Sequence, residues 1–87
     1  MKFEFEIPEY NSEEGMDVFI EKDASIMVKC EDNCVEILAN SGALLSLGKQ
    51  FLYMAENKLP KGSHIHYDGF FINLDKDSKE LIISKKE

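Results

Sequence analysis

Eighty-seven residues are enough for one domain with one modest core, and a composition 44% hydrophobic and 31% charged is globular. The net charge is −7 and arginine is absent, so no guanidinium fork is present for phosphates or base edges, and nucleic acid is a poor partner. No apolar run approaches membrane-spanning length. The start, MKFEFEIPEY, lacks the basic and apolar regions of a signal peptide, so the expected setting is the cytoplasm.

The charge is uneven. Residues 1–36 hold eleven acids against three lysines, a net of −8, and residues 37–87 hold six acids against seven lysines. An acidic half of this kind suits a basic partner, although acidity also serves solubility alone.

Lys2 to Ile7 alternates strictly, with Phe3, Phe5 and Ile7 on one face, and predicts a half-buried strand ended by Pro8. Glu9 to Gly15 is a polar loop. Asp17–Lys22, Ser25–Cys30 and Cys34–Ala39 are expected as the second, third and fourth strands. Pairing Cys30 with Val35, Val28 with Ile37 and Ile26 with Ala39 puts six small apolar residues on one face. It also makes Asp32-Asn33 a two-residue turn. Extending the register to the second strand sets Ile20 opposite Ile26 and Val18 opposite Val28.

On the outer face the same register aligns Phe19, Met27 and Leu38 in one row, with Lys29 opposite Glu36 beside it. A contiguous exposed apolar row marks a partner surface unless another element of the chain covers it. Asp17, Glu21 and Glu36 would rim it. Cys30 then points inward and Cys34 outward, so the two are not expected to be bridged. No second cysteine pair completes a zinc site.

Ser41 to Asn57 is the one long stretch with helical periodicity. Leu44, Gly48, Phe51, Leu52 and Ala55 fall on one side, flanked by Leu45, Leu47 and Met54. Ser46, Lys49, Gln50, Tyr53, Glu56 and Asn57 fall on the other. The apolar side is expected to lie on the sheet, with Gly48 allowing close approach and Asn40 or Ser41 as cap. Beyond Pro60, Ser63–Tyr67 is expected as a fifth strand. Residues 70–74 are expected as a strand or ordered loop, and Glu80–Ser84 as the last strand. The fold class expected is α+β: a mostly antiparallel sheet with one long amphipathic helix on one face, in the order β-β-β-β-α-β-β, as a single domain over residues 1–87.

His64, His66 and Asp68 alternate, so a strand places them on one face, a metal-ligand constellation in principle. With Ile65 and Tyr67 toward the core the histidines lie outside; the opposite assignment puts them under the helix. Neither a base positioned beside a nucleophile nor a glycine-rich phosphate loop is legible. No catalytic residue, metal or cofactor is expected, and the histidines are read as structural or contact residues. A small metal-dependent protein built on that strand and a generic oligomerisation or scaffold domain remain as alternatives.

Further signals follow one another at particular spacings: Asn40-Ser41-Gly42, Leu44-Leu45-Ser46-Leu47, Ala55-Glu56, Pro60, Gly62-Ser63-His64-Ile65-His66-Tyr67-Asp68 and Glu80-Leu81-Ile82-Ile83. This pattern resembles a family of small bacterial immunity proteins from polymorphic toxin systems, the one numbered thirty-two. The resemblance covers about Asn40 to Ser84, with Ser63, His64, His66 and Asp68 as its motif residues, and departs from the family at Gly48, where alanine is expected. It implies an α+β protein that binds and neutralises a cognate toxin by occlusion, with no enzymatic activity. The charge distribution adds the expectation of a basic toxin surface meeting the Phe19, Met27, Leu38 face; a homodimer is compatible with the chain's size.

Overall fold

The structure is a computed structural model, and it describes residues 1–69 and 72–87. The fold is α+β, in the order β1 (Ser25–Glu31), β2 (Cys34–Ala39), α1 (Ser41–Glu56), β3 (His64–Tyr67), β4 (Asn73–Leu74) and β5 (Leu81–Ser84). Among the described residues there are two small sheets rather than the single one expected, a three-stranded sheet ordered β2-β1-β4 and a two-stranded β3-β5 pair.

The β1-β2 hairpin has the register read from the sequence: Ile26 opposite Ala39, Val28 opposite Ile37 and Cys30 opposite Val35. Asp32 and Asn33 both adopt positive φ, 47° and 63°. Two left-handed residues in succession give the turn that matches strand twist, and Asp and Asn tolerate that conformation best among non-glycine residues. On the other side of β1, β4 runs parallel, pairing Ser25 with Asn73 and Ile26 with Leu74. The chain beyond it continues the ladder: the Val28 N–H donates to Ser78 Oγ at 2.7 Å, and the Lys79 N–H to the Val28 carbonyl at 2.9 Å. Of the stretch expected as strand or ordered loop over 70–74, Phe70 and Phe71 lie outside the described residues.

The two strands expected at Lys2–Ile7 and Asp17–Lys22 do not form among the described residues. Residues 1–22 instead make an N-terminal arm laid along α1. Its backbone finds partners in helix side chains rather than in a sheet. The N–H groups of Asp17, Phe19 and Glu21 donate to Tyr53 Oη (3.2 Å), Gln50 Oε1 (3.0 Å) and Ser46 Oγ (2.7 Å). Gln50 Nε2 returns a bond to the Asp17 carbonyl at 2.9 Å. Asn57, one turn further along the helix, holds the chain before the Asn11–Gly15 turn, accepting from the Tyr10 N–H at 2.7 Å and donating to the Pro8 carbonyl at 3.1 Å. Alternate N–H groups of an extended chain point the same way, and Ser46, Gln50, Tyr53 and Asn57 share one helical stripe. Asp17 to Glu21 therefore runs antiparallel to the helix, each second residue meeting one turn, and the turn at Asn11–Gly15 folds the preceding residues back, with Phe5 against Phe19.

This arrangement inverts the helix orientation expected from hydrophobicity. Ser46, Gln50 and Tyr53 are fully buried, together with Ala43, Leu47 and Met54. Leu44 is 59% exposed, and Leu45, Phe51 and Leu52 are also exposed. The buried polar groups are tolerated because each has a hydrogen-bond partner on the arm. Gly48 faces outward, and a Cβ there would meet nothing within 4 Å. The close approach belongs to Gly42, where a Cβ would lie 3.1 Å from the Lys22 carbonyl oxygen and 3.4 Å from Ala24 Cα.

Asn40 caps the helix: its Oδ1 accepts from the Ala43 N–H at 2.9 Å. The core gathers Ala24, Ile26 and Val28 from β1 and its approach, Ala43, Leu47, Tyr53 and Met54 from the helix, and Leu59, Ile65, Tyr67 and Ile72. Phe19 stacks edge-on between Phe5 and Tyr53, with both centroid distances 5.4 Å.

Candidate functional site

The outer-face row expected from the sequence is divided by this topology. Met27 and Leu38 are cross-strand partners, as read, with Lys29 opposite Glu36 beside them. Phe19 is not a third member of that row. It belongs to the arm and packs on Tyr53 and Phe5, because the arm bonds to the helix and not to β1. Asp17 and Glu21 go with it, and the Glu21 carboxylate pairs with Lys49. Glu36 alone of the three expected rim acids stays beside Met27 and Leu38.

The hairpin offers more apolar surface than the sequence reading assigned to it. Every residue of β2 from Cys34 to Leu38 is exposed. Val35, 64% exposed, and Ile37 share a face with the buried Ile26 and Val28, yet the distal half of the hairpin extends past the elements that cover those two. Cys30 is exposed for the same reason, which corrects the expectation of a buried thiol; both cysteines are free. Among the described residues the strand order leaves β2 with an open edge. The Asn40 N–H donates to the Ser25 carbonyl, which sets the alternation of the antiparallel ladder. The backbone groups of Val35, Ile37 and Ala39 therefore face outward from the sheet. Glu31, Asp32 and Glu36 surround this edge, where a shallow hollow of about 580 Å³ is also lined by Lys29, Cys34, Val35 and Ile37.

The family-motif strand is built differently. Ile65 and Tyr67 take the core face, and His64 and His66 lie outward. β3 pairs with β5, His66 opposite Ile82. The two imidazoles meet edge to face, 4.9 Å between centroids. His64 Nδ1 lies 2.9 Å from the Gly62 carbonyl oxygen, and His66 Nδ1 lies 2.6 Å from Glu80 Oε1. Each ring is thus oriented by a neighbour of its own sheet or turn. Ser63 Oγ donates to the Pro60 carbonyl at 2.8 Å. The Asp68 carbonyl accepts from the Ile72 N–H at 3.3 Å. Among the described residues no group of three or more His, Cys, Asp or Glu side chains is placed to hold a metal ion. Burial pushes the Tyr67 phenol up to about 12, and among the described residues its hydroxyl has no hydrogen-bond partner.

Sequence reasoning missed the buried polar stripe and the exposed edge of β2. The stripe had a signal in the 4-3-4 spacing of Ser46, Gln50, Tyr53 and Asn57. The edge had none, since nothing in residues 34–39 says that a third strand will add beside β1 and not beside β2.

What these elements present is surface: an open strand edge, apolar side chains on both faces of a hairpin, and acids around them. The class they define is a small α+β domain with the surface chemistry of protein binding. The family model for Immunity protein 32 matches residues 35–86, and the chain belongs to that family. No curated protein and no solved structure matches the chain. No helix among the described residues is long and apolar enough to cross a membrane.

Proposed function

We propose that this chain is a stoichiometric immunity protein that binds a cognate bacterial toxin in the cytoplasm and neutralises it by occlusion, without enzymatic turnover. Membership of the immunity family carries the reading. The surface chemistry is compatible with it: apolar side chains flank the open edge of β2 on both faces, Val35 and Ile37 on one and Met27 and Leu38 on the other, and with Glu31, Asp32 and Glu36 around them they suit a toxin with a basic surface. The open edge of β2 adds backbone groups that can pair with an extended toxin segment. Met27, Leu38 and Glu36 remain from the surface proposed on sequence grounds; Phe19 leaves it, and Val35 and Ile37 add apolar surface on the opposite face of the same strand edge.

The test is co-expression with a candidate toxin sought among the products of the neighbouring genes, followed by titration of the purified pair. Growth rescue and inhibition that is complete at one chain per toxin support the proposal. Neutralisation by a small fraction of an equivalent would indicate catalysis and overturn it, as would failure to rescue.

A further inference from the structure

The exposed side of α1 is unpartnered in the described structure, and its pattern is symmetric about one residue. At 100° per residue, Ser41, Leu44, Leu45, Phe51, Leu52 and Ala55 all lie within about 60° of Gly48. Their offsets along the chain are −7, −4, −3, +3, +4 and +7. Small residues stand at the centre and at both ends, and large apolar residues stand between. Leu44, Leu45, Phe51 and Leu52 are all exposed large hydrophobics.

Among the described residues nothing requires a glycine at position 48. It is mid-helix, its φ is not in the left-handed region, and a Cβ would enter open space. Glycine in an exposed helix interior weakens the helix. What it permits is contact from outside, with a second backbone passing close over it.

We propose that two copies of this chain associate through α1, the helices crossing antiparallel on a two-fold axis at Gly48. A two-fold contact must be self-complementary, and a sequence symmetric about its crossing point is the helical form of that condition. Leu44 of one copy then meets Leu52 of the other, Leu45 meets Phe51, and Ser41 meets Ala55. The charge distribution favours the same occupant. The chain carries −7 overall, but α1 holds only Lys49 and Glu56 among charged residues, so this neutral face is where two acidic copies can approach. Antiparallel helix dipoles are also compatible. A contact confined to one helix falls at the small end of specific interfaces, so a dissociation constant on the order of 10 μM is expected. The contact lies on the helix side opposite the arm and uses no residue of β2, so it is a different surface from the one proposed for the toxin.

Sedimentation equilibrium of the full chain from roughly 1 to 500 μM, about tenfold below to about fifty-fold above that constant, should show mass rising from 10.0 kDa toward twice that value. Phe51→Lys should leave a folded monomer throughout. Gly48→Ala should raise the melting temperature of the monomer while weakening the dimer at least tenfold. The pair Leu45→Lys with Phe51→Glu in one chain should dimerise again, because the two positions meet across the axis. A monomer at every concentration would overturn the proposal. A dimer indifferent to Phe51→Lys or Gly48→Ala would overturn it too, by placing the contact elsewhere.

Discussion

Gln50 holds the backbone of Phe19 from inside the protein: its Oε1 accepts the Phe19 N–H at 3.0 Å, and its Nε2 donates to the Asp17 carbonyl at 2.9 Å. The side-chain amide thus imitates a strand neighbour, offering one donor and one acceptor to an extended chain. Gln50 is fully buried, and the bonds it makes give an arm without a strand partner its place on the helix.

Removing that amide should release the arm. Gln50→Ala leaves a part-buried N–H and carbonyl without partners, a loss of roughly 2–3 kcal/mol. Hydrogen exchange should separate the two regions of the molecule. Amides of Asp17, Phe19 and Glu21 should lose protection in the variant, while that of Val28, bonded to Ser78, keeps its own. Equal loss at both would mean that the arm and hairpin unfold as one unit.

The helix and hairpin were legible for different reasons. The hairpin has two self-consistent signals, a period of two and an Asp-Asn turn, and both act between residues close in the chain. The helix was legible in extent, with Asn40 as its cap, but not in orientation. Hydrophobicity assigns Leu44, Phe51 and Leu52 to the core, and burial went to Ser46, Gln50 and Tyr53 because an extended arm needs hydrogen-bond partners more than apolar contact. The alternation of Phe3, Phe5 and Ile7 describes an extended chain correctly, but says nothing of whether its neighbour is a strand or a helix. The candidate partner surface followed the same division. Met27 and Leu38 met as local pairing required, and Phe19 departed with the arm.

Asn40 joins three elements at the start of α1. Its Oδ1 accepts from both Ala43 and Ser25, and its Nδ2 donates to the Asp23 carbonyl at 2.8 Å. Asn40→Ala should cost more than an ordinary cap, on the order of 2–3 kcal/mol in urea unfolding. Asn40→Asp keeps the acceptor and loses only the donor, so it should fall between. An aspartate variant as unstable as the alanine one would show that the bond to Asp23 dominates.

Tyr67 gives the protein an alkaline limit. Its phenol is neutral in the folded chain up to about 12, whereas an unfolded tyrosine ionises near 10. Between those values the unfolded state has lost a proton that the folded state keeps, so stability falls as pH rises, by at most ~1.4 kcal/mol per pH unit. Below pH ~10 this contribution is fully present. Tyr67→Phe should flatten the alkaline limb of the stability profile. At neutral pH it should be close to neutral or stabilising, because it removes a buried hydroxyl without a partner among the described residues. A loss above ~1 kcal/mol at pH 7 would show that the hydroxyl is bonded in solution.

The toxin contact proposed at β2 separates into two measurable parts. Val35, Ile37 and Leu38 are exposed apolar side chains on a strand with an open edge, so burying them should set how long the complex lasts. Val35→Ala and Leu38→Ala should each raise the dissociation rate roughly tenfold, with association unchanged and the fold intact. The surrounding acids act at longer range. Glu31→Lys and Glu36→Lys should slow association and flatten its dependence on salt, with smaller effects on dissociation. Phe19→Ala serves as the control. That side chain packs between Phe5 and Tyr53, so its loss should lower stability and leave the dissociation rate unchanged at temperatures where the chain remains folded. Stopped-flow association at several ionic strengths, with dissociation followed by competition, measures all three. If Phe19→Ala alone weakens the complex and the β2 variants do not, the contact lies on the arm and helix, and the hairpin edge is not the toxin site.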